Sequence, residues 1–210
     1  MTAFIDDICA RTLRILNIPD ELQHNMGWAV STMELIDPNT GKLDKAPRNA
    51  HTGRLLSVTD PEGWCSFEEV INAGYPAIGM RLTPEDPYVV IDLDKSKSRD
   101  INVYDKETTK ARKIYEAFES YSERSYSEKG VHIIVKGKSE KGRRRDNVEI
   151  YSQERYIICT GNVLKNRPII ECSDLLGKLY TTLDPHENPD TIPHIDSKSQ
   201  VDSEIGRAHV

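Results

Sequence analysis

The run Tyr88-Val-Val-Ile-Asp-Leu-Asp94 constrains the chain more than any other segment. Its adjacent β-branched residues lose rotamer freedom in a helix and pack well on a pleated surface, so a strand is expected. Residues two apart on a strand point the same way, which sends Asp92 and Asp94 to one side and Leu93 to the other, toward a core. Two carboxylates held together in half-buried ground repel, and at least one pKa rises unless a cation neutralises them. A hard divalent ion such as magnesium takes oxygen ligands of this kind. A DxD pair also caps strand ends and decorates turns, and taken alone the pair leaves both readings open.

Around this strand the pattern predicts helices and further strands in no regular βαβ alternation. Phe4 to Leu16 carries apolar residues at near-helical spacing and is closed by Pro19. Trp28 to Ile36 reads as a strand entering a hairpin at Asp37-Pro-Asn-Thr-Gly41, with Lys45 to Asn49 beginning the return. Ser66 and Glu69 form a capping-box signature for a short helix that Gly74 stops. Glu107 to Tyr121 reads as a helix with Ala111, Ile114, Tyr115 and Phe118 on one face. Val131 to Val135, Val148 to Tyr151 and Tyr156 to Cys159 read as strands, and Ser173 to Tyr180 as a last helix. The expected fold is therefore α+β, built on mainly antiparallel sheet flanked by helices.

With 210 residues the chain suffices for one domain, expected over residues 1–183. From 184 to 203 it is rich in Pro, Asp, His and Ser, which predicts a flexible acidic linker or tail. Residues 204–210 resemble the translation of a sequencing adapter, so the natural protein is expected to continue differently. The net charge of −6 argues against an acidic partner only at first sight. Six acids and two bases from Asp184 onward account for most of it, leaving the body near neutral, with a basic cluster at Lys136, Lys138, Lys141, Arg143, Arg144 and Arg145. The cysteines Cys9, Cys65, Cys159 and Cys172 form no CxxC pair and are expected as reduced thiols. No apolar run is long enough for a bilayer and no signal peptide is evident, so a cytoplasmic protein with no membrane partner is expected.

Two more elements carry polar chemistry. Ser127-Glu-Lys-Gly-Val-His132 is a polar turn whose glycine permits close approach of a ligand and whose histidine opens a strand. Glu149 alternates with Val148 and Ile150. Taken singly, His132 reads more readily as a satisfied core histidine and Glu149 as a solvated strand residue.

As a set, Tyr88 to Asp94, Ser127-x-x-Gly-Val-His132, Gly142-Arg-Arg-Arg145, Glu149-Ile-Tyr151 and Arg155-Tyr-Ile-Ile-Cys-Thr-Gly161 resemble phage- and plasmid-type primase-polymerases of the archaeo-eukaryotic primase superfamily. The similarity extends to Lys45-Ala-Pro-Arg-Asn49, Trp64-x-Ser-Phe-Glu68 and Gly79-Met-Arg-Leu-Thr83. It implies a primase-polymerase catalytic core in which Asp92, Asp94 and Glu149 bind two divalent ions, Mg2+ or Mn2+, and His132 contacts the triphosphate. Ser127, Lys129, Gly130 and Lys45 are then expected at the nucleotide, and Arg143, Arg144, Arg145 and Arg155 at the phosphates of a single-stranded DNA template and primer. The implied reaction is template-dependent joining of nucleoside triphosphates by a DNA primase or DNA polymerase in phage or plasmid replication, with a helicase domain or protein as a possible associate. This chain departs from the resemblance at Glu128-Lys129, where relatives often carry a small residue. The same carboxylates would also suit a metal-dependent nuclease, and a noncatalytic nucleic-acid or nucleotide-binding module is the alternative from another class. A DxD glycosyltransferase would need a separate nucleotide-binding βαβ unit ahead of the motif, and none is visible.

Overall fold

The computed structural model describes residues 13–137 and 142–183. It is α+β, as expected. The elements run α1 (Asp20–Asn25), β1 (Trp28–Ser31), β2 (Leu35–Asp37), β3 (Lys42–Leu43), α2 (Phe67–Asn72), β4 (Ala77–Leu82), β5 (Tyr88–Leu93) and α3 (Ile101–Ala117). They continue β6 (Ser122–Arg124), β7 (Val131–Lys136), β8 (Arg143–Arg145), β9 (Val148–Tyr151), β10 (Arg155–Cys159), β11 (Val163–Lys165) and α4 (Ser173–Thr182). A six-stranded sheet has the order β11-β6-β7-β5-β9-β8, a three-stranded sheet the order β1-β4-β10, and β2 and β3 form a hairpin. Every pairing between these strands is antiparallel. Among the described residues no helix is long and apolar enough to cross a membrane.

The two faces of β5 have different fates, and that difference creates the site. Val89, Ile91 and Leu93 point away from the second sheet and pack with Ile133, Val135, Val148 and Ile150, beneath Ile114 and Phe118 of the α3 segment and Leu176 and Leu179 of α4. Burying each such side chain stabilises the fold by about 1.5–3 kcal/mol. The other face begins as core: Tyr88 and Val90, with Ile134 of β7, pack in one cluster with Trp28, Met80, Leu82 and Ile157 of the three-stranded sheet. Further along the same face the side chains become Asp92 and Asp94, and apolar packing gives way to a polar cleft.

Several elements differ from the sequence reading. The α3 helix starts six residues before Glu107 and ends at Ala117, because the Asp100 side chain accepts a hydrogen bond from Asn102 N–H and caps it there. Its first turns are exposed, with Ile101 and Val103 on the surface, and so carried no periodic signal. Tyr121 is not helical; it leads into β6, a strand the sequence reading did not anticipate. Trp28 to Ile36 is two strands, broken where Met33 takes a φ of 55°. Arg143 to Arg145, read as a basic turn, is the edge strand β8. The helix expected over Phe4 to Leu16 lies largely outside the described residues, although Leu13 to Ile15 are helical. Lys138, Lys141, Cys9 and the tail from Asp184 also lie outside them. The other three cysteines are buried free thiols.

The Ser66–Glu69 capping box is present: Ser66 Oγ accepts from Glu69 N–H, and Glu69 Oε2 accepts from Ser66 N–H at 2.7 Å. The same glutamate meets His51 Nε2 at 2.8 Å beside Cys65, the three ligand-type atoms lying within 4.8 Å of one another. Each is already engaged, since Cys65 Sγ accepts from Ala50 N–H at 3.4 Å. The cluster thus closes the long irregular segment that precedes α2.

Candidate nucleotidyl-transfer site

Strand register brings the polar residues into one line. Asp92 on β5 is directly paired with His132 on β7 at one side and with Glu149 on β9 at the other. His132 is paired in turn with Glu123 on β6, and Glu149 with Arg144 on β8. The sequence Glu123, His132, Asp92, Glu149, Arg144 therefore runs straight across five strands, and directly paired side chains share a face. Asp94 follows just past the end of β5, anchored by its N–H to Asn147 O at 2.8 Å and by Asn147 Nδ2 donating to its carbonyl at 2.9 Å.

The charges along this line alternate except at its centre, where Asp92 and Glu149 adjoin. His132 Nδ1 lies 3.4 Å from Glu123 Oε1 and its Nε2 3.9 Å from Asp92 Oδ1. Arg144 Nε meets Glu149 Oε1 at 2.9 Å. Asp92 Oδ1 is buried and without a hydrogen bond, since 3.9 Å is beyond hydrogen-bonding range. Burial raises the Asp92 pKa above the usual carboxylate range, opposed by the His132 charge and reinforced by Asp94 and Glu149. Burial alone would push His132 down, but the hydrogen bond to Glu123 and the charges of Asp92 and Glu123 outweigh it and hold the imidazole above its ordinary value.

These residues fit a hard divalent cation. Asp92, Asp94 and Glu149 offer carboxylate oxygens, one of them a buried oxygen that no protein donor satisfies, although Arg144 engages Glu149 and the three acids do not gather within 4.8 Å as His51, Cys65 and Glu69 do. The charge of such an ion would offset the burial and, secondarily, the repulsion that raise Asp92. Gly130 keeps the adjoining space open. A Cβ there would stand 3.0 Å from Ser125 Oγ and from the Leu93 carbonyl, and 3.2 Å from Asp94 Oδ1.

The line opens into a cleft of about 240 Å³ between the two sheets. Asp92, Asp94, His132, Lys45, Ser127 and Arg155 line it, with Ile157 and Ile158 of β10 as its opposite wall. The β6–β7 connection forms one rim. Ser125 N–H donates to Gly130 O at 2.9 Å and Gly130 N–H to Ser125 Oγ at 3.0 Å, closing a tight loop over Tyr126 to Lys129. Glu128 in this loop adopts φ 61°, a left-handed conformation costly for a side-chain-bearing residue. A second hollow of about 410 Å³ lies on the far side of Ser125 to Ser127, lined also by Arg14, Thr160 and Asn162.

Of the residues singled out from sequence, Asp92, Asp94, His132, Lys45, Ser127 and Arg155 share the cleft, and Glu149 stands beside Asp92. Gly130 adjoins Asp94. Lys129 is exposed on the loop and outside the cleft lining. Arg143, Arg144 and Arg145 occupy the sheet edge beside Glu149, and Arg155 stacks over Tyr151 at 4.5 Å. Glu123, Asn147 and Ser125 were missed. Glu123 carried no usable signal, because the strand that presents it was hidden behind an overextended helix assignment.

No protein-family model matches the sequence. Over 142 residues, 62% of this chain, it is 33% identical to a DNA primase-polymerase of Nitratiruptor phage NrS-1. The chain spans about a fifth of that relative's length, 19%. The likeness supports a primase-polymerase relationship.

Proposed function

We propose that the cleft between the two sheets joins nucleoside triphosphates to a growing strand under the direction of a single-stranded DNA template, as a DNA primase, a DNA polymerase or both, in phage or plasmid replication. The observation that carries this reading is the paired row of His132, Asp92 and Glu149 with Asp94 beside it and a tight polar loop over Tyr126 to Lys129 on its rim, in a chain similar to a protein named DNA primase-polymerase.

In the reaction, the 3′-hydroxyl oxygen of a primer or initiating nucleotide attacks the α-phosphorus. A new P–O bond forms, the bond to the β-phosphate oxygen breaks, pyrophosphate leaves and the hydroxyl proton is lost to solvent. Asp92, Asp94 and Glu149 would hold two divalent ions, Mg2+ or Mn2+, which when bound favour ionisation of the hydroxyl and balance charge on the phosphates. His132 presents a ring nitrogen to the triphosphate, and Ser127 with the backbone around Gly130 supplies further donors. Lys45, in the lining of the same cleft, adds a positive charge. Charge-assisted hydrogen bonds are about twice as strong as neutral ones, so these contacts orient the α-phosphorus for in-line attack. Arg155 and the edge arginines Arg143 to Arg145 suit the phosphates of template and primer, with affinity falling as salt rises. Arg144 balances Glu149 while no cation is there.

The test is a strand-length assay with an end-labelled primer on a DNA template, nucleoside triphosphates and Mg2+ or Mn2+. Lengthening supports the reading. Shortening of the strand identifies a nuclease, and binding without either change identifies a noncatalytic module. His132→Ala should raise the nucleotide KM by about tenfold or more with template affinity unchanged.

A further inference from the structure

Glu123 is a buried carboxylate with a full set of partners. Its side chain is 1% exposed. Oε2 accepts from Tyr121 Oη at 3.0 Å and from Gly161 N–H at 2.9 Å, and Oε1 accepts from Thr160 N–H at 3.0 Å. The last acceptor position faces His132 Nδ1 at 3.4 Å. A carboxylate offers about four acceptor positions, all of them used here. Three donors come from rigid places: two consecutive backbone amides of the turn after β10, and a hydroxyl that burial and the Glu123 charge keep protonated. The carboxylate is thus held still by groups that do not belong to the cleft, and it spends its remaining acceptor on the one histidine that does.

We propose that Glu123 is the positioning residue for His132, taking a proton-bearing Nδ1 so that the ring cannot flip and Nε2 is always the nitrogen presented to the cleft beside Asp92. The geometry is that of a fixed anion orienting a functional imidazole through its second nitrogen. Without it, the ring would rotate between two orientations and present Nε2 toward the triphosphate only part of the time. The inference rests on the reading of His132 as a nucleotide contact.

Two measurements on the full chain test it. The first is the long-range 15N–1H spectrum of the His132 ring in wild type and Glu123→Gln. A proton resident on Nδ1 in wild type, with that signature lost in Glu123→Gln, is expected. An identical ring spectrum in both overturns the proposal. The second is a kinetic cycle with His132→Ala. Glu123→Gln should raise the nucleotide KM by about tenfold with kcat changed far less, and should add no more than about twofold in the His132→Ala background. Losses that multiply, as two independent sites would give, overturn it. Tyr121→Phe removes one support of the carboxylate but leaves it facing His132, so its KM should stay within about twofold of wild type; a purely structural role would make it resemble Glu123→Gln. Should Glu123→Gln fail to fold by circular dichroism, Glu123→Asp, with the charge retained on a shorter side chain, provides the same two readings. If the wild type uses no nucleoside triphosphate, the functional reading falls while the ring spectrum still decides the role of Glu123.

Discussion

Asp92 and Glu149 sit directly opposite each other on β5 and β9, two acids on one face of a sheet, flanked by His132 beside Asp92 and Arg144 beside Glu149. Directly paired residues of antiparallel strands bring their Cβ atoms to about 4.5–5.5 Å, and like charges so placed destabilise a sheet. The fold carries that cost at the mouth of its cleft.

Asp92→Asn should therefore leave the cation-free protein as stable as wild type or more so at neutral pH. The sign follows from the raised pKa of Asp92: such a group favours the folded state while protonated at low pH, and that contribution disappears as pH rises through the folded pKa. Chemical denaturation at neutral and mildly acid pH checks this, and a variant clearly less stable than wild type at neutral pH would contradict it. Adding Mg2+ or Mn2+ should raise the wild-type stability, by about 2.7 kcal/mol at a hundred times the dissociation constant, and leave Asp92→Asn nearly unmoved.

Gly130→Ala places a methyl group against Ser125 Oγ and Asp94 Oδ1. Either Asp94 or the loop must shift by a few tenths of an ångström. Misplacement of reacting groups is penalised far more than packing, so activity should fall by up to about a hundredfold for a loss of roughly 1–3 kcal/mol in unfolding free energy. Equal activity in the two proteins would show that the space beside Gly130 is not used.

Much of this was legible in the sequence, and the residues show why. Asp92 and Asp94 were readable because a β-branched run fixes both the strand and the period that makes them face together. The capping box of α2 was readable because it is written in four adjacent residues. Glu149 and His132 gained their roles mainly from resemblance, since nothing local says that β7 and β9 flank β5. Glu123 was invisible for the same reason carried further: its meaning lies in a pairing with His132, in a three-residue strand, Ser-Glu-Arg, that has no apolar side chain to mark it. The edge strand β8 was hidden because three consecutive arginines read as a solvated turn.

The cap of α2 offers a test away from the cleft. The Ser66 N–H, His51 and the Ser66 hydroxyl hold the Glu69 carboxyl down at about 2, from an ordinary 4.5. Its contribution to stability is thus fully present above about pH 4.5 and is lost as pH falls toward 2. Ser66→Ala should cost about 1 kcal/mol at neutral pH. The gap between wild type and Glu69→Ala in urea denaturation should narrow from pH 5 downward, and a gap that widens on acidification would contradict the assignment.

Templated single-nucleotide incorporation distinguishes a cleft that synthesises from one that cleaves or merely binds. A primed DNA template with one unpaired template base is supplied with each nucleoside triphosphate in turn, together with Mg2+ or Mn2+, and both the extended primer and released pyrophosphate are quantified. A synthesising cleft gives one-nucleotide extension with the complementary nucleotide, matched by pyrophosphate mole for mole, and abolished in Asp92→Ala combined with Asp94→Ala. Extension that persists in that double variant, or a wild type that gives neither product, would contradict it.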